Sequence, residues 1–170
     1  MKDPNYDLVL KTTCATLLTD KANTVMGLAI RLGNTPRRYL ELGFPDLPLA
    51  VKVANVEKML FRHNVPRRFL EGIYGTLLAP KAIFRSHTRP HDVNAVVLSF
   101  DTIHLGPLVA ILHADKQIGR ARCNELASIY AKEDRDFERV WRAKGLLLWE
   151  GASERGDMPT MTVAHKRKTA

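Results

Sequence analysis

Asn94-Ala95-Val96-Val97-Leu98-Ser99-Phe100, Pro107-Leu108-Val109-Ala110-Ile111-Leu112-His113 and Leu126-Ala127-Ser128-Ile129-Tyr130-Ala131-Lys132 are three short runs rich in aliphatic residues. Turn-forming stretches, Asp101 to Gly106 and Asp115 to Gly119, separate them. Each run has the length of a strand, so consecutive runs are expected to pair as antiparallel hairpins. Ala82 to Ser86 reads as a further strand of the same kind. On the C-terminal side, Asp134 can cap a helix whose face is Phe137, Val140, Trp141 and Lys144, and Gly145 ends it. Leu146 to Trp149 then reads as a last apolar strand.

Towards the N-terminus the texture is helical. Leu8 to Leu18 holds a short helix, and Val25 to Leu32 resembles a buried strand ending at Gly33. In Thr35-Pro36-Arg37-Arg38-Tyr39-Leu40-Glu41-Leu42-Gly43, Thr35 suits an N-cap, Pro36 the first helical position and Gly43 the stop. Leu49 to Val53 is short and apolar, and Asn55 can cap a helix through His63. Val56, Met59, Leu60 and His63 fall at i, i+3, i+4 and i+7, one face of that helix, whereas Lys58 and Arg62 lie elsewhere and meet solvent. Pro66 starts a brief helical turn, and Gly72, Gly75 and Pro80 mark an irregular link. Helices first and a hairpin-rich sheet second make an α+β domain over residues 1–150. Residues 151–170 lose periodicity and read as a flexible basic tail.

A chain of 170 residues, 45% hydrophobic and 26% charged, has the composition of one globular domain and is too apolar for a disordered segment. No apolar stretch reaches the ~20 residues needed to span a bilayer, so no membrane role is expected. Asp3 and Pro4 interrupt any secretory signal. Cys14 and Cys123 form neither a metal spacing nor a disulfide framework, which suits a reducing, cytoplasmic setting. The net charge is +8 and the pI near 9.7. Between residues 31 and 91, eleven Lys or Arg face four acids. Such a surplus attracts polyanions by counterion release. RNA is the expected partner, with DNA or an acidic protein as alternatives, while a merely solvated face accounts for the charge equally well.

Alternation along a strand puts Ser128, Tyr130 and Lys132 on one face. A hydroxyl, a phenol and an ammonium in a row could hold a phosphate and stack a base, although an antiparallel strand with one wet face has the same pattern. His63 closes an apolar helix face and is either an acid/base group or a half-buried histidine at a helix C-terminus. His87 and His91 stand at i, i+4 around Arg89-Pro90, without a recognised third ligand, so no metal is expected. The chain lacks a P-loop, a GxGxxG fingerprint, a GxSxG elbow and an HExxH helix, so no nucleotide cofactor or zinc-hydrolase chemistry is indicated.

Several segments, in order, carry a resemblance: Leu32-Gly33-Asn34-Thr35-Pro36, Leu40-Glu41-Leu42-Gly43, Asp46-Leu47-Pro48-Leu49, Lys58 with His63-Asn64-Val65, Leu77-Leu78-Ala79-Pro80, Ile83-Phe84-Arg85-Ser86, Ala95-Val96-Val97-Leu98, Ala127 to Lys132 and Trp141 to Leu148. Together they resemble the toxin-like C-terminal domain attached to phage MuF head-morphogenesis proteins, which is similar to the barnase–EndoU–colicin–RelE group of nucleases. The resemblance implies N-terminal helices packed on a small antiparallel sheet of about four strands, with a metal-independent ribonuclease activity and, for a toxin, an acidic immunity or inhibitor protein. Under that expectation His63 is the acid/base, Ser128 a hydrogen-bond donor, Tyr130 a stacking or proton-donating group and Lys132 the cation on the phosphate. Arg37, Arg38, Lys58, Arg62, Arg67, Arg68 and Arg85 are the expected nucleic-acid contacts.

Overall fold

The computed structural model describes residues 1–89, 91–134 and 136–151. The expected basic tail lies outside these residues from 152 onward. In chain order the elements are α1 (Tyr6–Leu17), α2 (Ala22–Val25), β1 (Ala29–Asn34), α3 (Arg37–Glu41), β2 (Pro48–Lys52), α4 (Val53–Phe61), α5 (Arg67–Leu78), β3 (Ala82–Phe84), β4 (Asn94–Ile103), β5 (Gly106–Ile118), β6 (Ala121–Ala131), α6 (Phe137–Ala143) and β7 (Leu147–Glu150).

The mixed α+β class is as expected, but the sheet has seven strands rather than about four, in the order β1-β2-β6-β5-β4-β3-β7. The hairpin-linked strands β4, β5 and β6 form its centre. Both hairpins are longer and tighter than expected, turning at His104-Leu105 and Gly119-Arg120 instead of over five or six residues. The extra strands come from short apolar segments. Leu49 to Val53 supplies most of β2, which pairs antiparallel with β1 and parallel with β6. At the other end, β7 pairs with β3.

Alternation sorts the sheet residues into two cores. Leu108, Ala110, Leu112, Leu126 and Ile129 join Leu10, Val56, Met59, Leu70 and Leu77 in the larger core under α1, α4 and α5. Val96, Leu98 and Val109 face the other way and pack with Phe84 and Phe137 beneath α6. Helices therefore cover both faces.

Four local expectations are corrected. The stretch from Arg67 to Leu78 is a twelve-residue helix, not a brief turn followed by an irregular link. Leu70, Ile73, Tyr74 and Leu77 are buried at helical spacing, and Gly72 and Gly75 fall on the exposed side. Each glycine costs about 1 kcal/mol of helix propensity, which burial of that apolar stripe offsets. Thr35 does not cap α3. Pro36 holds the N-cap position, and the Thr35 hydroxyl donates instead to the Leu47 carbonyl at 2.6 Å. Nor does Asn55 cap α4, which begins at Val53 and ends at Phe61. The Asn55 amide instead donates to the Glu125 carboxylate on β6 at 3.1 Å. At the start of α6, Asp136 is the N-cap, while the Asp134 carboxylate accepts from the Asp136 amide at 2.9 Å.

No helix among the described residues is long and apolar enough to cross a membrane.

Candidate functional site

The site begins with a departure of the chain. β2 lies parallel to β6 only at Leu49–Asn124 and Ala50–Glu125, and the chain then turns into α4 at Val53. That helix packs along β6. At its start it is tied to the buried Glu125 carboxylate, which accepts from Asn55 and pairs with the Lys52 ammonium at 3.3 Å. At its end, the amides of Arg62 and His63 both donate to the Lys58 carbonyl. Asn64 takes φ 52°, a left-handed conformation that asparagine tolerates better than most residues. The Val65 amide returns to Met59 O at 3.0 Å, and Pro66 leads into α5. His63 is thus held where a continuing β2 would otherwise have covered β6.

There it meets the row singled out on β6. The His63 and Tyr130 ring centroids are 5.9 Å apart, tilted by 45°. Tyr130 packs on the edge of the core beneath α6. Ser128 lies opposite Ile111, which belongs to the same side. The Lys132 ammonium sits 5.4 Å from the Trp141 ring centroid on α6. Ser128, Tyr130 and Lys132 therefore share the α6 face, with Ile129 on the other. The Lys132 amide donates to Pro107 O at 2.8 Å, and Gly106 passes so close that a Cβ there would collide with the Lys132 carbonyl oxygen. The β4–β5 hairpin tip thereby fixes the end of the row.

The electrostatics suit proton transfer. Burial lowers the His63 pKa below its ordinary value, and the Lys58 and Arg62 charges lower it further. Its ring is therefore neutral, a proton acceptor, at neutral pH. His63 Nε2 is buried and has no hydrogen-bond partner among the described residues, the kind of orphaned polar atom that native structures seldom keep without a use. Nδ1 is left as the nitrogen a substrate could reach. Burial raises the Tyr130 pKa, so the phenol keeps its proton.

The expected basic contacts divide. Lys58 and Arg62 are exposed beside His63, and Arg68 stands just beyond it at the start of α5. Arg67 is also there but pairs with Glu71 at 2.7 Å. Arg37 and Arg38 are elsewhere. Arg38 donates to Leu78 O at the far end of α5, about 16 Å of helix from Arg67 at 1.5 Å per residue, and stacks 3.8 Å over Trp149. Arg37 pairs with Glu41. Arg85 follows β3, three strands from β6 in the sheet, roughly 14 Å at the usual strand spacing. It therefore does not stand beside Lys132.

Sequence reasoning missed a cavity of about 560 Å³ next to His63, lined by Asn64, Pro66, Arg68, Thr102, Ile103 and His104. It lies between the turn after α4 and the β4–β5 hairpin tip. The sequence places His104 on a hairpin tip, but nothing in it brings that tip to residue 64. Among the described residues no three His, Cys, Asp or Glu side chains gather in a metal-binding group.

The family model for the phage MuF C-terminal domain matches residues 55–154. The chain belongs to this family. The match begins inside α4 and takes in α5, all strands from β3 to β7 and α6, so His63, the Ser128–Lys132 row and the cavity all fall within the family domain. Arg37 and Arg38 fall outside it. No curated protein and no solved structure matches the chain.

Proposed function

We propose that this member of the MuF C-terminal domain family is a metal-independent endoribonuclease of the toxin or effector kind. What carries the reading is the packing of His63 against Tyr130, two side chains 67 positions apart in sequence, at the open edge of β6 beside Ser128 and Lys132. Cleavage of RNA by its own 2′-hydroxyl needs a base for that proton, positive charge on the pentavalent phosphate and a proton for the departing 5′ oxygen. The neutral His63 imidazole takes the 2′ proton at Nδ1. The ammonium of Lys132, within ammonium reach of the strand end, offsets the charge that builds on the phosphate oxygens. The Tyr130 phenol, kept protonated by burial, donates to the departing oxygen, and the Ser128 hydroxyl donates to a non-bridging one. Lys58, Arg62 and Arg68 supply the field that draws the polyanion in.

Incubation of the purified chain with end-labelled RNA in EDTA tests this directly. Expected is cleavage leaving 2′,3′-cyclic phosphate ends, reduced at least 100-fold, the usual worth of an acid/base group, by His63→Ala, and strongly reduced by Lys132→Ala. RNA that stays intact with the wild-type chain from pH 5.5 to 8 would remove the enzymatic reading. Retention of RNA without cleavage, weakening steeply with salt, would leave a binding module. Capture of an acidic protein and no RNA would leave an interaction domain.

A further inference from the structure

Two polar cavities differ in how their side chains are used. In one of about 430 Å³, Asp115 is held by Nε and Nη2 of Arg122, and Asp92 lies 3.9 Å from Arg89. Its two carboxylates are thus spent on arginines. In the 560 Å³ cavity beside His63, the carboxamide of Asn64, the guanidinium of Arg68, the hydroxyl of Thr102 and the imidazole of His104 have no hydrogen-bond or ion-pair partner among the described residues. The Arg68 guanidinium lies 5.2 Å from the centroid of the neighbouring Phe69 ring. Pro66 and Ile103 add apolar surface between these polar groups. Flat apolar walls with uncommitted planar donors and acceptors are what an unstacked nucleobase requires, since bases stack on imidazole and guanidinium planes and are read along their edges by amides and guanidinium groups.

The two edge-reading side chains narrow the choice of base. A carboxamide pairs bidentately with adenine at N6 and N7, and a guanidinium with guanine at O6 and N7. Both modes use N7, which pyrimidines lack. We propose that this cavity is a purine pocket that seats the base next to the scissile phosphate, with Asn64 and Arg68 reading the N7 edge. The inference rests on the ribonuclease reading of the neighbouring His63 and supplies its specificity. The left-handed φ of Asn64 fits the role: the turn that sets His63 against β6 also presents residue 64 to the cavity, and asparagine meets both demands.

Binding of 2′-O-methyl hexamers, which have no free 2′ hydroxyl to attack, separates recognition from cleavage. Fluorescence anisotropy would compare uridine hexamers carrying one adenosine, one guanosine or one 7-deazaadenosine with the all-uridine hexamer. A purine should tighten binding about five-fold or more, as one bidentate contact does, and 7-deazaadenosine should lose that gain. Asn64→Gly suits the backbone at φ 52° and should keep the wild-type melting temperature while reducing the adenosine preference to under two-fold. Arg68→Ala should do the same for guanosine. Equal affinity for purine and all-uridine hexamers would overturn the purine pocket and leave the ribonuclease reading standing. The absence of binding to any hexamer at low salt would overturn both.

Discussion

Replacing Asn124 by alanine is expected to destabilise the fold by about 3 kcal/mol, through three hydrogen bonds at about 1 kcal/mol each. Asn124 is fully buried on β6. Its amide nitrogen donates to the Thr35 hydroxyl at 2.8 Å and to Pro45 O at 2.9 Å, and its oxygen accepts from the Asp115 amide at 3.1 Å. One side chain thus fastens the loops on either side of α3 and a bulge of β5 to the strand that carries Tyr130. The sum stays near the low end because the abandoned partners are not all stranded. Asp115 is exposed, Pro45 is half-buried and the Thr35 hydroxyl keeps Leu47. For a chain of this size the loss corresponds to a fall in Tm of about 6–12 °C. Thr35→Val removes two bonds of the same network, so the double variant should lose less than the two single losses summed. Urea denaturation of the four proteins of that cycle checks the coupling. A loss below about 1 kcal/mol for Asn124→Ala at an unchanged m value would refute the network as a fastening.

Four further outcomes follow from particular contacts. Arg38→Ala should cost about 1–2 kcal/mol through the lost Trp149 stack and Leu78 hydrogen bond, whereas Arg37→Ala should change thermal stability by less than about 0.5 kcal/mol. His63 and His113 are both held below their ordinary pKa by burial, so the unfolded chain takes up protons first. Stability is then full above about pH 6.5 and falls as the pH drops from there through the folded values. His63→Gln should flatten that slope in denaturation curves recorded between pH 7.5 and 5, and an unchanged slope would contradict the burial of its ring. Gly106→Ala should lower Tm and displace the Lys132 backbone resonances, since φ 132° and the Lys132 carbonyl both exclude a Cβ. Glu125→Ala should cost about 2 kcal/mol and disturb the His63 ring resonances at the far end of α4, whereas Glu125→Gln, which still accepts from Asn55, should leave those resonances in place.

How much of this was legible depended on whether a segment's own period reported its partner. The three central runs announced themselves because an aliphatic run between turn residues pairs with its neighbour in sequence. The alternation that aligned Ser128, Tyr130 and Lys132 holds in the folded sheet. Leu49 to Val53 gave no such signal: Val51 pairs with Ile30 on one side and Leu49 with Asn124 on the other, 21 and 75 positions away. Glycine pairs misled at Gly72 and Gly75, where the period of Leu70, Ile73, Tyr74 and Leu77 outweighs propensity. The arginine surplus was visible as a number and not as a surface. A charge count cannot tell that Arg38 is spent on Trp149 or that α5 keeps Arg37 and Arg68 at opposite ends.

The parallel pairing of β2 with β6 explains why an opening exists where it does. An antiparallel partner joined by a hairpin, such as β5, runs the length of β6 from Ala121 to Ala131. β2 reaches β6 from a distant part of the chain and matches it at two positions, because at Val53 the apolar spacing changes from two to nearly four. Val53, Val56 and Met59 must then be buried on one side of a helix, and they are. The chain leaves the plane of the sheet, and the stretch from Ala127 onward faces the end of a helix in place of a strand. A helix end brings what a strand cannot: a side chain aimed across the edge from outside the sheet, exposed cations around it, and a reversing turn that opens a cavity. The period change at residue 53 is therefore the physical origin of the His63–Tyr130 pair, and it lies just ahead of Asn55, where the match to the family domain begins.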